Sequence, residues 1–179
     1  MIEYSPVVAD DTPSATRHDL TQEETQQFLR FSVGDEVFAI DIANVREIVQ
    51  NGAVTVVPLM PAFVRGVMNL RGAVVPVIDI AARFGRPVTQ MGKKTCVIIL
   101  DVGPPGDRVE LGLWVDAVSE VIDIFPSDIE PAPPFGTSIA REFIHGLCKV
   151  GKEFIVILDA ERALNIDDMA ALAEHSPAQ

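Results

Sequence analysis

The chain has 179 residues, 48% of them hydrophobic and 22% charged, and its 26 acids against 14 bases give a net charge of -12. That length suits one domain or two small, intimately packed subdomains. The acid excess argues against nucleic acid, whose phosphates call for clustered Lys and Arg, and against an anionic membrane surface. No run reaches the roughly 18 apolar residues of a membrane span.

Residues 1–27 are rich in Asp, Glu, Thr, Ser and Gln without an apolar period, which predicts a flexible, solvated acidic tail. Thr21 precedes Glu24 at capping-box spacing, so one helical turn fits Leu20–Gln27. The tail lacks the basic start and apolar stretch of a signal peptide, which points to a cytoplasmic protein. In "QFLRFSVGDEVFAIDI" polar and apolar residues alternate around Gly34-Asp35, predicting a β-hairpin. In "ANVREIV" the spacing of Ile42, Val45, Ile48 and Val49 predicts a short amphipathic helix. "VPLMP" (57–61), bracketed by prolines, is a loop or a very short edge strand. "FVRGVMNLRGAVVPVIDI" (63–80) predicts a second hairpin, with Asn69 opening a type I turn and Gly72 closing it.

"DIAARFG" suits a short helix stopped by Gly85 and Pro87. "TCVIILDV" (95–102) is an apolar strand and "GPPGD" (103–107) a turn. "VELGLWVDAVSEVIDI" begins as a strand, with a helix expected over Asp116–Val121. "EFIHGLCKVGKEFIVILDA" is again two strands around a glycine turn, and "AERAL" and "DDMAALAEH" have helical character. The organisation expected is a tail at 1–27, a folded unit at 28–165 made of two intimately packed β-barrel subdomains, and a C-terminal helical segment and tail at 166–179. Many short strands separated by Gly and Pro favour small barrels over a βαβ sheet. Cys96 and Cys148 lie in apolar, strand-like runs; two buried thiols in a reducing compartment are expected, and one disulfide between them is the alternative.

An internal repeat organises these elements. Shifted by 80 positions, "FVRGVMNLRGAVVPVIDIA" (63–81) lies over "FIHGLCKVGKEFIVILDAE" (143–161), matching Phe63 with Phe143, Gly66 with Gly146 and Asp79 with Asp159. Shifted by 73, "AIDIANVREIV" (39–49) lies over "GLWVDAVSEVI" (112–122), matching Val45 with Val118 and Glu47 with Glu120. Two blocks in the same order imply a duplicated β unit, folded as two similar barrels around a pseudo-twofold. Features common to both copies are candidates for maintaining the fold, and features of one copy are candidates for function. The shared glycines point to a close approach or a bulge within a strand, and the shared aspartates to helix caps. Arg71, in the turn of the first copy only, is a candidate for function.

Catalytic and metal-binding signatures are missing from the sequence. His18, His145 and His175 are far apart and no Cys or His pair has metal-ligand spacing. No phosphate-binding lysine loop and no nucleophile elbow occurs. An enzyme would have to draw on Asp79, Asp116 and His145, which would then have to converge in one pocket. An SH3-like binder of proline-rich peptides would need clustered exposed aromatics, against an aromatic content of 6%.

"FLRFSVGDEVFAIDIANVREIV", "PAFVRGVMNLRGAVVPVIDI", "VELGLWVDAVSEVI" and "EFIHGLCKVGKEFIVILD" together resemble the bacterial chemotaxis coupling (CheW) family over about residues 27 to 165. The most specific element is Gly-x-x-Asn-Leu-Arg-Gly-x-x-x-Pro-x-x-Asp, from Gly66 to Asp79. The resemblance implies a mainly β fold of two SH3-like five-stranded barrels with short helices and a C-terminal helix. It implies a non-catalytic scaffold, without cofactor, joining chemoreceptor cytoplasmic tips to the regulatory domain of the histidine kinase CheA. It further implies receptor or kinase contact at Val45, Glu47 and Arg71, and at Val118 as the repeat partner of Val45.

Overall fold

The first hairpin turns where the sequence places glycine: β1 (Gln26–Val33) and β2 (Glu36–Asp41) pair antiparallel around Gly34, whose φ is 61°. The computed structural model describes residues 24–133, 139–165 and Met169. Beyond the first hairpin it contains β3 (Val45–Gln50), β4 (Val64–Leu70), β5 (Ala73–Asp79), β6 (Cys96–Val102) and β7 (Val109–Val115), then β8 (Ala117–Ile124), β9 (Ile144–Val150) and β10 (Glu153–Leu158). Two single-turn helices, α1 (Ile80–Arg83) and α2 (Ala160–Ala163), follow β5 and β10.

The strands form two five-stranded sheets with orders β8-β1-β2-β10-β9 and β3-β6-β7-β5-β4. Replacing each of β1 to β5 by the strand five places later converts one order into the other. The sequence repeat is therefore a five-stranded unit used twice, but neither sheet is one copy. Each takes two strands from one copy and three from the other, so the halves of the chain are interlaced.

Each sheet closes on itself through one residue pair. Beyond β3, Thr55 exchanges two backbone hydrogen bonds with Val67 of β4, at 2.7 and 2.8 Å; beyond β8, Glu130 does the same with Leu147 of β9, at 2.8 and 2.7 Å. Here the shared glycines act. A Cβ on Gly66 would lie 2.1 Å from the Thr55 carbonyl oxygen, and one on Gly146 would lie 2.4 Å from Ile129 Cγ2 and 2.7 Å from the Glu130 carbonyl oxygen. Only a residue without a side chain lets the returning segment come this close.

The shared aspartates are caps, as expected. Asp79 accepts from the backbone N–H groups of Ala81 and Ala82, at 3.0 and 3.2 Å, and Asp159 from that of Arg162 at 3.1 Å. Asp79 is fully buried and also receives Arg65 at 2.9 Å and the Thr89 N–H and hydroxyl at 2.9 and 3.1 Å. These bonds satisfy a carboxylate that burial alone would penalise heavily.

Among the described residues three apolar clusters make the core. Phe28, Ala39, Ile124, Cys148, Ile155 and Ile157 fill the β8-to-β9 sheet, while Met68, Val75, Val77, Val97, Ile99 and Trp114 fill the other. The third and largest contains residues of both sheets, among them Phe31, Phe38, Ile98 and Leu113, and is the interface between them. Cys96 belongs to that interface and Cys148 to one sheet's interior; both are free, buried thiols. Burial, with Asp128 and Glu130 nearby, pushes the Cys148 thiol above the ordinary range. Neither thiol is expected to react with a bulky thiol reagent at neutral pH until the protein is unfolded, a count that mass spectrometry provides.

Three local expectations are corrected. "ANVREIV" is a 3-10 turn at Ile42–Asn44 followed by strand β3, and Ala117–Val121 belongs to strand β8 rather than to a helix. Gln26 and Gln27 are strand residues, which removes the end of the helical turn expected at Leu20–Gln27; Leu20–Glu23 lie outside the described residues. The C-terminal helix expected over 166–179 also lies outside them, except for Met169, which is helical and buried.

Candidate functional site

The β4–β5 hairpin closes with a two-residue loop, Arg71-Gly72, rather than with the four-residue type I turn expected. Both residues have positive φ, 53° and 86°. That is the combination of the tight turns whose twist matches antiparallel strands. Asn69 supports it from the strand end, its Oδ1 accepting from the Gly72 N–H at 3.0 Å. In the second copy the position 80 residues on from Arg71 is Gly151, with φ 64°. Arg71 is thus an arginine in a left-handed conformation, where the repeat shows that glycine serves. Such a conformation is unfavourable for a residue with a Cβ.

Arg71 is 69% exposed along its side chain and forms an ion pair with Glu47 of β3. The pair joins the tip of one edge hairpin to the opposite edge strand, which sheet closure has brought alongside. The hydrogen bond from Arg71 holds the Glu47 carboxyl below the ordinary glutamate range, with the charges of Arg71 and Arg46 adding to the effect. A carboxyl with a lowered folded-state pKa keeps its partner above the ordinary glutamate value and loses it as pH falls through the lowered one. An NMR titration of the Glu47 side-chain carboxyl is expected to give a midpoint below that of unfolded glutamate, returning upward in Arg71→Gly.

Val45 lies on the same strand as Glu47 but faces elsewhere. The β3–β6 register shifts at Arg46, so Val45 stands opposite Leu100, a residue of the shared core, and Glu47 opposite Ile99, in the sheet's own interior. The second copy repeats this across Ser119: Val118 stands opposite Phe31 and Glu120 opposite Arg30. Val45 and Val118 are both half-buried and pack on the margin of the inter-sheet core. The structure therefore brings Glu47 and Arg71 together and sets Val45 and Val118 at equivalent points on the two sheets.

The glutamates show where the copies part. Glu120 faces Arg30 on its neighbouring strand at 3.9 Å, and Arg30 also pairs with Glu153. Glu47 draws its cation from the hairpin tip instead. Arg65 is a further polar residue of this sheet, lying 3.9 Å over the Trp114 ring while it bonds Asp79 and the Thr89 carbonyl oxygen. Its mismatch with His145 across the repeat is the sequence signal for it.

The three residues that an enzyme would need do not converge. Asp79 is enclosed by the partners above, Asp116 accepts from the Gly34 N–H at 2.6 Å, and His145 lines a separate cleft beside Asp41, Asn44 and Asp159.

Residues 27–168 match the family model described as CheW-like domain. The chain belongs to the CheW-like family. It is 38% identical over 145 residues to the chemotaxis protein CheW of Klebsiella aerogenes, covering 81% of this chain and 85% of that one. It is 35% identical over 145 residues to CheW of Helicobacter pylori, covering 81% and 85%. The crystal structure of the scaffolding protein TtCheW from Thermoanaerobacter tengcongensis superposes with a TM-score of 0.71 at 35% identity, covering 80% of this chain and 94% of that one. As a CheW-like protein the chain is a non-catalytic chemotaxis coupling scaffold, and its task is binding rather than bond making. No described helix is long and apolar enough to cross a membrane.

Proposed function

We propose that the chain couples the cytoplasmic tips of chemoreceptors to the regulatory domain of the histidine kinase CheA, in the cytoplasm at membrane-associated receptor arrays. Residues 28–165 are the coupling module, flanked by the acidic segment 1–27 and the segment 166–179. Val45 and Val118 border the surface that accepts a receptor helix, in the manner of helix-in-groove recognition. Glu47 and Arg71 form its polar margin, with the guanidinium available to a partner carboxylate or carbonyl.

The observation that carries this reading is the conformation of Arg71. An arginine replaces glycine at a left-handed turn position and is left largely exposed. Backbone strain of this kind is characteristic of residues kept for a task other than stability. The test is co-sedimentation of the purified kinase with receptor-bearing membranes. Kinase should pellet with the membranes when the chain is added and remain in the supernatant without it. Equal pelleting in both cases would refute the coupling role.

A further inference from the structure

The 80-residue equivalence pairs Arg83 with Ala163 and Phe63 with Phe143. Arg83 ends α1, yet its Nε donates to the Ala163 carbonyl oxygen of α2 at 2.9 Å. Its guanidinium carbon also lies 4.5 Å from the centre of the Phe143 ring and 5.7 Å from that of Phe63. One arginine thus touches its own equivalent position and both members of an equivalent aromatic pair. A residue can do this only where the pseudo-twofold axis passes beside it. Two arginines there would crowd like charges into one partly buried place, and the equivalent position is held by Ala163, which is 1% exposed.

The packing around this point is uneven. Phe84 stacks on Phe143 with ring centres 6.0 Å apart and lies 5.9 Å from Phe38. The equivalents of Phe84 and Phe38 are Leu164 and Leu111. The apolar contact between the two sheets is the largest cluster of the core and holds them together, but it is non-directional and does not by itself select one crossing angle. A guanidinium bonded to one helix end and stacked on aromatic rings is directional, and an ammonium cannot reproduce it.

We infer that Arg83 is a positioning residue on the pseudo-twofold: it fixes the angle at which the two barrels meet, and through it the spacing of Val45 and Val118 that a receptor helix reads. This rests on the coupling role proposed above. The test measures inter-barrel distance directly, by pulsed electron spin resonance between nitroxide labels at Val74→Cys and Phe154→Cys. These positions are equivalent, exposed and on different sheets, while Cys96 and Cys148 are buried away from the label.

Arg83→Met, which keeps the apolar stem and removes the guanidinium, is expected to widen the distance distribution. It should also lower receptor co-sedimentation several-fold, while Arg83→Lys recovers neither. The double substitution Arg83→Ala with Ala163→Arg moves the cation across the axis and is expected to narrow the distribution again relative to Arg83→Ala alone. A parent-like width in Arg83→Met overturns the inference, as does a widened distribution with undiminished receptor binding, or a double variant no narrower than Arg83→Ala. A parent protein that fails to carry kinase to receptor membranes overturns the coupling role instead.

Discussion

Gly66→Ala is expected to destabilise the protein by about 3 kcal/mol and to lower its unfolding midpoint by roughly 10 °C. Two effects add. The new Cβ would sit 2.1 Å from the Thr55 carbonyl oxygen, a backbone atom of a residue whose N–H and C=O are both bonded to Val67 and which cannot swing aside. The φ of 146° at Gly66 is also a region that L side chains avoid. Relief requires breaking the Thr55–Val67 bridge, and with it the closure of the sheet. Gly146→Ala should cost less, since the bridging Glu130 carbonyl oxygen lies farther from the new Cβ, at 2.7 Å, the nearest atom is a side-chain methyl, and the backbone lies outside the left-handed region. Thermal unfolding of the two variants beside the parent gives the ranking. Equal midpoints for Gly66→Ala and the parent would mean that the closing bridge contributes nothing.

Arg71→Gly is expected to do the reverse: keep the fold and remove the function. Glycine occupies the equivalent turn in the second copy, so the backbone conformation becomes easier rather than harder. The lost ion pair with Glu47 is exposed, and such pairs contribute little to stability. The unfolding midpoint should therefore stay at or near the parent's, while receptor or kinase assembly weakens by about tenfold, as for an arginine whose charge-assisted hydrogen bond to a partner is lost. Glycine is a sharper test than alanine here, because alanine would remain strained at φ 53° and mix a folding defect with a binding one. A stable Arg71→Gly protein that assembles as the parent does would return Arg71 to the status of a turn residue.

The repeat made much of the architecture legible before any coordinates. Gly66 with Gly146 and Asp79 with Asp159 were readable as close approach and cap because both copies share them, and the structure gives each pair that task. The interlacing of the copies was not readable, since which sheet a strand joins depends on contacts far apart in sequence. The two misplaced helices share one physical cause. An extra residue at Arg46, and another at Ser119, interrupts the alternation of an edge strand. Val45 and Ile48 then fall on one face at a separation of three, which in sequence imitates a helical period. At the hairpin, Asn69 and Gly72 suggested a longer turn, and only the coordinates showed that Arg71 itself adopts the glycine conformation. The Glu47–Arg71 pairing likewise depends on sheet closure, which no local pattern announces.

The most direct test of the coupling role is kinase control in a reconstituted system of receptor-bearing vesicles and purified CheA, with the chain titrated in. Autophosphorylation is expected to rise with added chain and to become responsive to the receptor's stimulus, and to need about tenfold more of Arg71→Gly to do either. Stimulus-responsive kinase activity at the same level without the chain would contradict the proposal.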